Sequence, residues 1–465
     1  MAREYKILSP TAILGYGFPE SSFLKGLEAG PDLIAVDAGS TDPGPYYLGS
    51  GKPFTDRVGV KSDLRAMLTH GVRQGIPVVI GTAGGSGARP HLEWCRALVE
   101  EIAREENLSF RLGLAYADVD AEVVVAGLRS GKVQALDGLE DPTDEQVRSC
   151  PHIVAQMGNE PLQALAREGA QVILAGRCYD PACFAALPIM AGYDAALATH
   201  LGKILECAAI AATPGSGSDS VLGILREDSF ELRALSPERR FTPQSTAAHT
   251  LYEKSDPSHL PGPGGSLDLT DVTFTDLGEG RVEVRGTRFV PTPRYAIKLE
   301  AARPVGFRTL SIAGIRDPIL IGSIQKVAGQ VKARVDELLS REAVQGQVFF
   351  HMYGLNGVMG DLERSDSGTA HELGLVMEVL APTQEQADTI CSLTRSTFLH
   401  YGYEGRIATA GNLAFPFSPS DVPMGPAYEF CLYHLMEVAD PEAFFKREIV
   451  TVDGARVTPG KEVRS

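Results

Sequence analysis

In the segment ATHLGKILECAA (198–209), His200, Lys203, Glu206 and Cys207 recur at helical spacing, so their side chains fall along one side of a helix. Leu201, Ile204, Leu205 and Ala208 take the opposite side, and small apolar residues flank the stripe at 195–198 and 208–212. Two readings are open. Lys203 and Glu206 form an ordinary surface ion pair, or the stripe is buried and supplies His200, Lys203 and Glu206 as acid/base groups with shifted pKa values, as active sites do.

Other chemistry-bearing residues stand directly after short apolar runs. In VDAGSTDPGPYYLGSG (36–51), Asp37 closes the run, and Ser40 and Thr41 offer hydroxyls to a substrate. The alternative is an Asx-turn network that only shapes the loop. In MGNEP (157–161), Asn159 reads as an N-cap. Glu160 then either complements the helix dipole or serves as a general acid/base. In AGRCYDPA (175–182), Arg177 is a planar fork for a carboxylate or phosphate. Cys178, read as lying at a helix start, is a nucleophile with a lowered pKa or an inert packing thiol.

The stretch PVVIGTAGGSGARPHLEW (77–94) has the form of an anion site. Gly84, Gly85, Ser86 and Gly87 form a turn that lets backbone N–H groups approach negative charge at a helix start, and Arg89 adds a guanidinium. The pattern is neither GxGxxG nor GxxxxGK[ST], so it specifies no dinucleotide or nucleoside triphosphate. Ser86 lacks the spacing of a nucleophile elbow. A strand-to-helix turn without a ligand is the plainer alternative. His91, Glu93, His200 and Glu206 are candidate metal ligands, but no HxxxH, HxH or HExxH spacing occurs. No cofactor is required, and a divalent metal stays open only as a set assembled from distant residues.

These residues need a scaffold that gathers strand ends. The first 215 residues alternate strand-length apolar runs (Ala12–Leu14, Leu33–Val36, Val78–Ile80, Arg111–Ala115, Ile153–Ala155, Val172–Leu174) with helical patterns at 20–28, 60–74, 90–105, 119–129 and 161–168. The alternation predicts an open, mostly parallel sheet flanked by helices, with Asp37, Gly81, Gly158 and Gly176 on one edge. The small-residue segment 213–219 reads as a linker. Beyond it, an α+β domain (216–465) is expected, with strands over 221–235, a helix at 243–254, antiparallel strands over 267–312, and helices at 318–340 and 383–401.

Composition sets outer bounds. The net charge is −16, which argues against nucleic acid and anionic membrane partners. No apolar run is long enough for a membrane span, and the first residues lack a signal-peptide core. Seven scattered cysteines without a CxxC pair suit reduced thiols and a cytoplasmic location.

Taken in order, VDAGSTDPGPYYLGSG, IGTAGGSGARPHLEW, AQMGNEP, AGRCYDPA and HLGKILECAA resemble the acyclic terpene utilisation A family (AtuA), over about residues 6–450. The resemblance implies a two-domain bacterial protein of this length, encoded with or fused to a small partner, near genes for acyl-CoA and branched dicarboxylic acid catabolism. This chain resembles the unfused form. The family carries no settled catalytic residues to transfer.

The combined expectation is a catabolic enzyme acting on a small carboxylic acid or acyl-CoA thioester, a hydratase or lyase that moves a proton beside a carbonyl. Arg89 and Arg177 would clamp the carboxylate, and the acid/base pair would come from Glu160, His200, Lys203 and Glu206. The glycine turns would supply oxyanion donors. Homo-oligomerisation is expected. The alternatives are a non-catalytic binding or scaffold subunit that works with a small partner, and a metal-assisted hydrolase built on Asp37, Glu160, Asp180 and His200.

Overall fold

The computed structural model describes residues 3–136, 138–252, 256–364, 370–454, 456–458 and 462–463. The first seven strands are β1 (Tyr5–Ser9), β2 (Leu33–Asp37), β3 (Val78–Gly81), β4 (Ser109–Ala115), β5 (Val133–Ala135), β6 (His152–Ala155) and β7 (Val172–Ala175). Five of these pair in parallel in the order β1-β2-β3-β7-β4. Every residue of β2, β3 and β7 is buried, as a strand covered by helices on both faces requires. Antiparallel strands extend the sheet. Val221–Leu225, Phe230–Ala234, Arg281–Arg285 and Thr273–Gly278 lie beyond β1, and Arg447–Asp453 lies beyond β4.

Helices Glu20–Glu28, Arg57–Gln74 and Arg89–Glu106 cover one face, where Phe23, Leu64, Met67, Leu92 and Ile102 pack with Ile34, Val36, Ile80, Leu112 and Leu174. Helix Glu160–Arg167 packs on β7 and β4, Ala182–Met190 on β2 and β3, and Ala195–Leu205 on Val221–Leu225. Among the described residues, no helix is long and apolar enough to cross a membrane.

Two expectations for the strands of the principal sheet need correcting. Residues 12–14 form no strand; the edge of the parallel set is β1, seven residues earlier, because Pro10 ends the extended run that Ile7 and Leu8 anchor. The run at 153–155 is a strand but stays out of the main sheet. It pairs antiparallel with residues 299–302, placing Val154 opposite Glu300 and Ala155 opposite Leu299.

The shared edge does form. Asp37 is in register with Gly81, and Ala115 with Ala175, so the residues after β2, β3, β4 and β7 emerge together. Met157 bridges to Cys178 and brings the segment before Glu160 to the same place.

The chain divides into two compact units, Met1–Arg303 with Phe430–Ser465, and Pro304–Glu429. The segment 213–219, read as a linker, lies inside the first. That unit also holds a small antiparallel sheet of His259–Gly262, Gly265–Asp268 and Arg288–Pro291. In the second unit, Gln347–Tyr353, Leu373–Ala381 and residues 307–315 form an antiparallel sheet. Its core sets Val327, Val331, Ile390 and Phe398 against Leu375, Met377 and Val379. The helix expected at 318–340 is divided at Ser323 into Pro318–Gly322 and Ile324–Arg341.

Candidate functional site

Arg177, two residues beyond β7, organises the shared edge. Its guanidinium is buried and donates from Nε to Glu300 Oε2 at 2.6 Å, and from Nη1 to Asp180 Oδ1 at 2.7 Å, the Cys178 carbonyl at 2.8 Å and Thr82 Oγ1 at 3.3 Å. Glu300 is 0% exposed. It also accepts from Lys298 Nζ at 2.7 Å and from Thr41 Oγ1 at 3.3 Å, and Thr41 meets Tyr433 Oη at 2.9 Å. Burial pushes the Glu300 carboxyl up, but the Arg177 and Lys298 cations overcome it and hold the group at about 2. For Arg177, burial disfavours the charge and the Glu300 and Asp180 carboxylates more than restore it. The fork expected to hold a substrate carboxylate holds the protein's own.

Asp37 stands beside this network with a different balance. Burial, then repulsion from Asp180, drives its carboxyl well above the ordinary aspartate range, against the pull of Arg177. Its Oδ1 is buried and has no hydrogen-bond partner among the described residues. Cys178 Sγ lies 3.6 Å from Thr82 Oγ1 in the same interior. Burial, followed by the Asp37 charge, lifts that thiol to about 12, opposite to the sequence expectation. The reason is positional: the helix starts only at Ala182, so no helix N-terminus faces Cys178. Ser40 lies at the outer part of the loop and donates to Asp42 Oδ2 at 2.6 Å.

The 195–205 helix is buried at every residue from Ala196 to Leu205, and its ionisable residues part company. Lys203 Nζ donates to Glu206 Oε1 at 2.5 Å, with 8% and 6% of the two side chains exposed, so the pair is interior. Burial would lower the Lys203 pKa, but the Glu206 charge and hydrogen bond raise it. Asp180 also acts on Lys203, and Glu206 on Asp37 and Tyr179, which places this pair beside the edge network. His200 is elsewhere. Its Nδ1 meets Thr287 Oγ1 at 2.7 Å and its Nε2 meets Thr250 Oγ1 at 3.0 Å, with Phe230 packed edge-on. It is a core histidine held by two hydroxyls, not a member of the strand-edge set.

Protein fills the glycine turn. Gly87, at φ +68°, lies so close to the chain at Gly176–Arg177 that a Cβ would overlap the Arg177 backbone nitrogen. Gly85 packs on Phe54 and Gly39, and Gly84 on His91. Ser86 is buried within the turn. At the helix start, the Ala88 N–H is taken by His91 Nδ1 at 3.2 Å and the Arg89 N–H by Asp118 Oδ1 at 3.0 Å. The anion at this helix terminus is therefore Asp118. The exposed Arg89 guanidinium lies over the Tyr116 ring, 4.2 Å from its centroid, and does not join Arg177.

Next to Tyr179 a cavity of about 300 Å³ opens. Ile189, Leu260, Leu267 and Phe289 form apolar walls, largely from the small antiparallel sheet, and Asn159, Glu160, Tyr179, Thr199 and Tyr295 supply polar groups. Tyr295 Oη donates to Glu160 Oε2 at 2.7 Å. Burial, then the Glu160 charge, raises the Tyr295 pKa, so the phenol keeps its proton. Asn159 makes no side-chain cap bond; its Oδ1 and the Tyr179 hydroxyl are buried without hydrogen-bond partners among the described residues. Glu160 thus faces the cavity, while the metal set Asp37, Glu160, Asp180 and His200 does not converge. Among the described residues, no group of three or more His, Cys, Asp or Glu side chains is placed to hold a metal ion.

A family model described as acyclic terpene utilisation family protein AtuA matches residues 57–218 and 237–414. The chain belongs to the AtuA family. No solved structure matches it. The family's name connects this AtuA chain with the utilisation of acyclic terpenes, a catabolic role. The matched spans contain Glu160, Arg177, Asp180, Lys203, Glu206, Tyr295, Lys298 and Glu300, whereas Asp37, Thr41 and Tyr433 lie outside them. Tyr295, Lys298, Glu300 and Tyr433 were not anticipated from sequence. One signal for them exists in YAIKLEAA (295–302), where Lys298 and Glu300 stand two apart on one strand face between Ile297, Leu299 and Ala301.

Proposed function

We propose that this AtuA-family chain is a catabolic enzyme acting on a carboxylic acid or acyl-CoA thioester, a hydratase or lyase that works by acid/base chemistry beside the carbonyl. One observation carries the reading: a carboxylate and a phenol, hydrogen-bonded at 2.7 Å, face an apolar cavity at the carboxyl edge of a parallel sheet. In the dehydrating direction, Glu160 takes the proton from the carbon next to the carbonyl as the carbon–carbon double bond forms. The departing β-hydroxyl takes that proton and leaves as water, which returns Glu160 to its carboxylate. Tyr179 donates its hydroxyl hydrogen to the carbonyl oxygen as negative charge gathers there, and Tyr295 holds Glu160 in orientation. The Arg177 and Lys203 ion networks brace the segment that carries Tyr179.

The test follows hydration of 3-methylcrotonyl-CoA, read as loss of the enoyl absorbance, with the wild type and Glu160→Gln. Turnover that falls by about a hundredfold or more in the variant, the low end for a lost general base, supports the reading. Binding of the thioester without turnover under any condition would turn the assignment to a scaffold subunit.

A further inference from the structure

We infer that the cavity beside Tyr179 accepts the acyl group as a neutral thioester and rejects the free carboxylate. The inference rests on the acid/base reading of this cavity and narrows its substrate class. Charge is the first argument. Among the described lining residues, Glu160 supplies a carboxylate and no lysine, arginine or histidine is present. A free acid would set a second carboxylate against Glu160 between apolar walls, where like charges are poorly screened. The nearby cations are committed: Arg177 to Glu300 and Asp180, Lys298 to Glu300, and Lys203 to Glu206.

Hydrogen bonding is the second argument and is independent of the first. Asn159 Oδ1 is a buried acceptor without a donor, and the Tyr179 hydroxyl is a buried donor without an acceptor. A carboxylate carries acceptors only, so it leaves Asn159 unsatisfied and adds negative charge beside it. A thioester meets both needs: its carbonyl accepts from Tyr179, and an amide N–H of the pantetheine arm donates to Asn159. The volume of about 300 Å³ suits the acyl group and the start of that arm, with the nucleotide outside.

The experiment compares 3-methylcrotonate with its N-acetylcysteamine thioester by titration calorimetry on wild type, Glu160→Gln and the cavity-filling Ala195→Leu, each checked for an unchanged melting temperature. The wild type is expected to bind the thioester at least about tenfold more tightly than the acid, with Glu160→Gln closing that gap to about threefold as like-charge repulsion is removed. Ala195→Leu should abolish both. Equal binding of acid and thioester by the wild type, still abolished by Ala195→Leu, overturns the inference and leaves the cavity reading standing. A thioester preference that Glu160→Gln does not change overturns the charge argument. Binding of neither probe overturns this inference and the proposed function together.

Discussion

Replacing Glu300 by glutamine keeps the shape of the side chain and removes the charge that balances Arg177 and Lys298. The carboxyl sits at about 2 in the fold against the ordinary glutamate value of 4.5, a gap corresponding to about 3 kcal/mol of stability. This agrees with the roughly 3–5 kcal/mol typical of removing one member of a buried ion pair. A carboxyl depressed by folding stabilises the fold fully above its unfolded pKa, and that stability is lost as pH falls through 4.5 toward about 2. Urea unfolding of wild type and Glu300→Gln at matched pH isolates the effect, because titrations common to both proteins cancel. The difference between them should be about 3 kcal/mol at pH 7, smaller by about 1 kcal/mol at pH 4 and by about 2 kcal/mol at pH 3. A difference that stays constant from pH 7 to pH 3 would refute the charge balance described for Arg177.

Two further outcomes follow from the packing. Lys203→Met and Glu206→Leu should each cost about 3–5 kcal/mol in urea unfolding, whereas the double variant should recover much of the loss, because only the single changes strand a buried charge. An additive double variant would mean that the pair does not act as a unit. Gly87→Ala should prevent folding or lower the melting temperature far more than Gly75→Ala. Both residues have left-handed backbones, at φ +68° and +69°, but a Cβ at Gly75 meets only open space. The Gly75 change should cost only the backbone term of about 1–2 kcal/mol; similar losses at the two sites would refute the close approach of the glycine turn to Arg177.

The centre of the sheet was legible because β2, β3 and β7 are continuous apolar runs, which need no knowledge of their partners. β6 looks the same locally, yet its partner lies at 299–302, and no local pattern distinguishes the two pairings. Arg177 could be picked out by its position after β7. What it binds could not, since Glu300 is 123 residues away. The 198–209 stripe divides for a different reason, with Lys203 and Glu206 paired in the interior and His200 bonded elsewhere. At about 100° per residue, positions 200 and 206 stand about 120° apart around the axis, and one stripe serves them only if the opposite face is solvent. Here the helix is buried all round, so His200 and Glu206 reach different neighbours.

The path of the chain through the first unit bears on the order of assembly during synthesis. Strand Arg447–Asp453 pairs with β4 along its whole length, from Ser109 opposite Asp453 to Ala115 opposite Arg447. On the ribosome, β4 emerges more than three hundred residues before this neighbour, and at typical rates of about 5–20 residues per second it waits tens of seconds. Over that interval the sheet ends in a bare row of backbone donors and acceptors, the condition under which nascent chains associate wrongly. The contiguous unit Pro304–Glu429 is complete before the unit that began first. A stop codon shortly after residue 440 would remove little mass, yet it would leave the principal sheet open at β4. Late truncations should therefore yield insoluble chains, unlike the usual tolerance of protein ends.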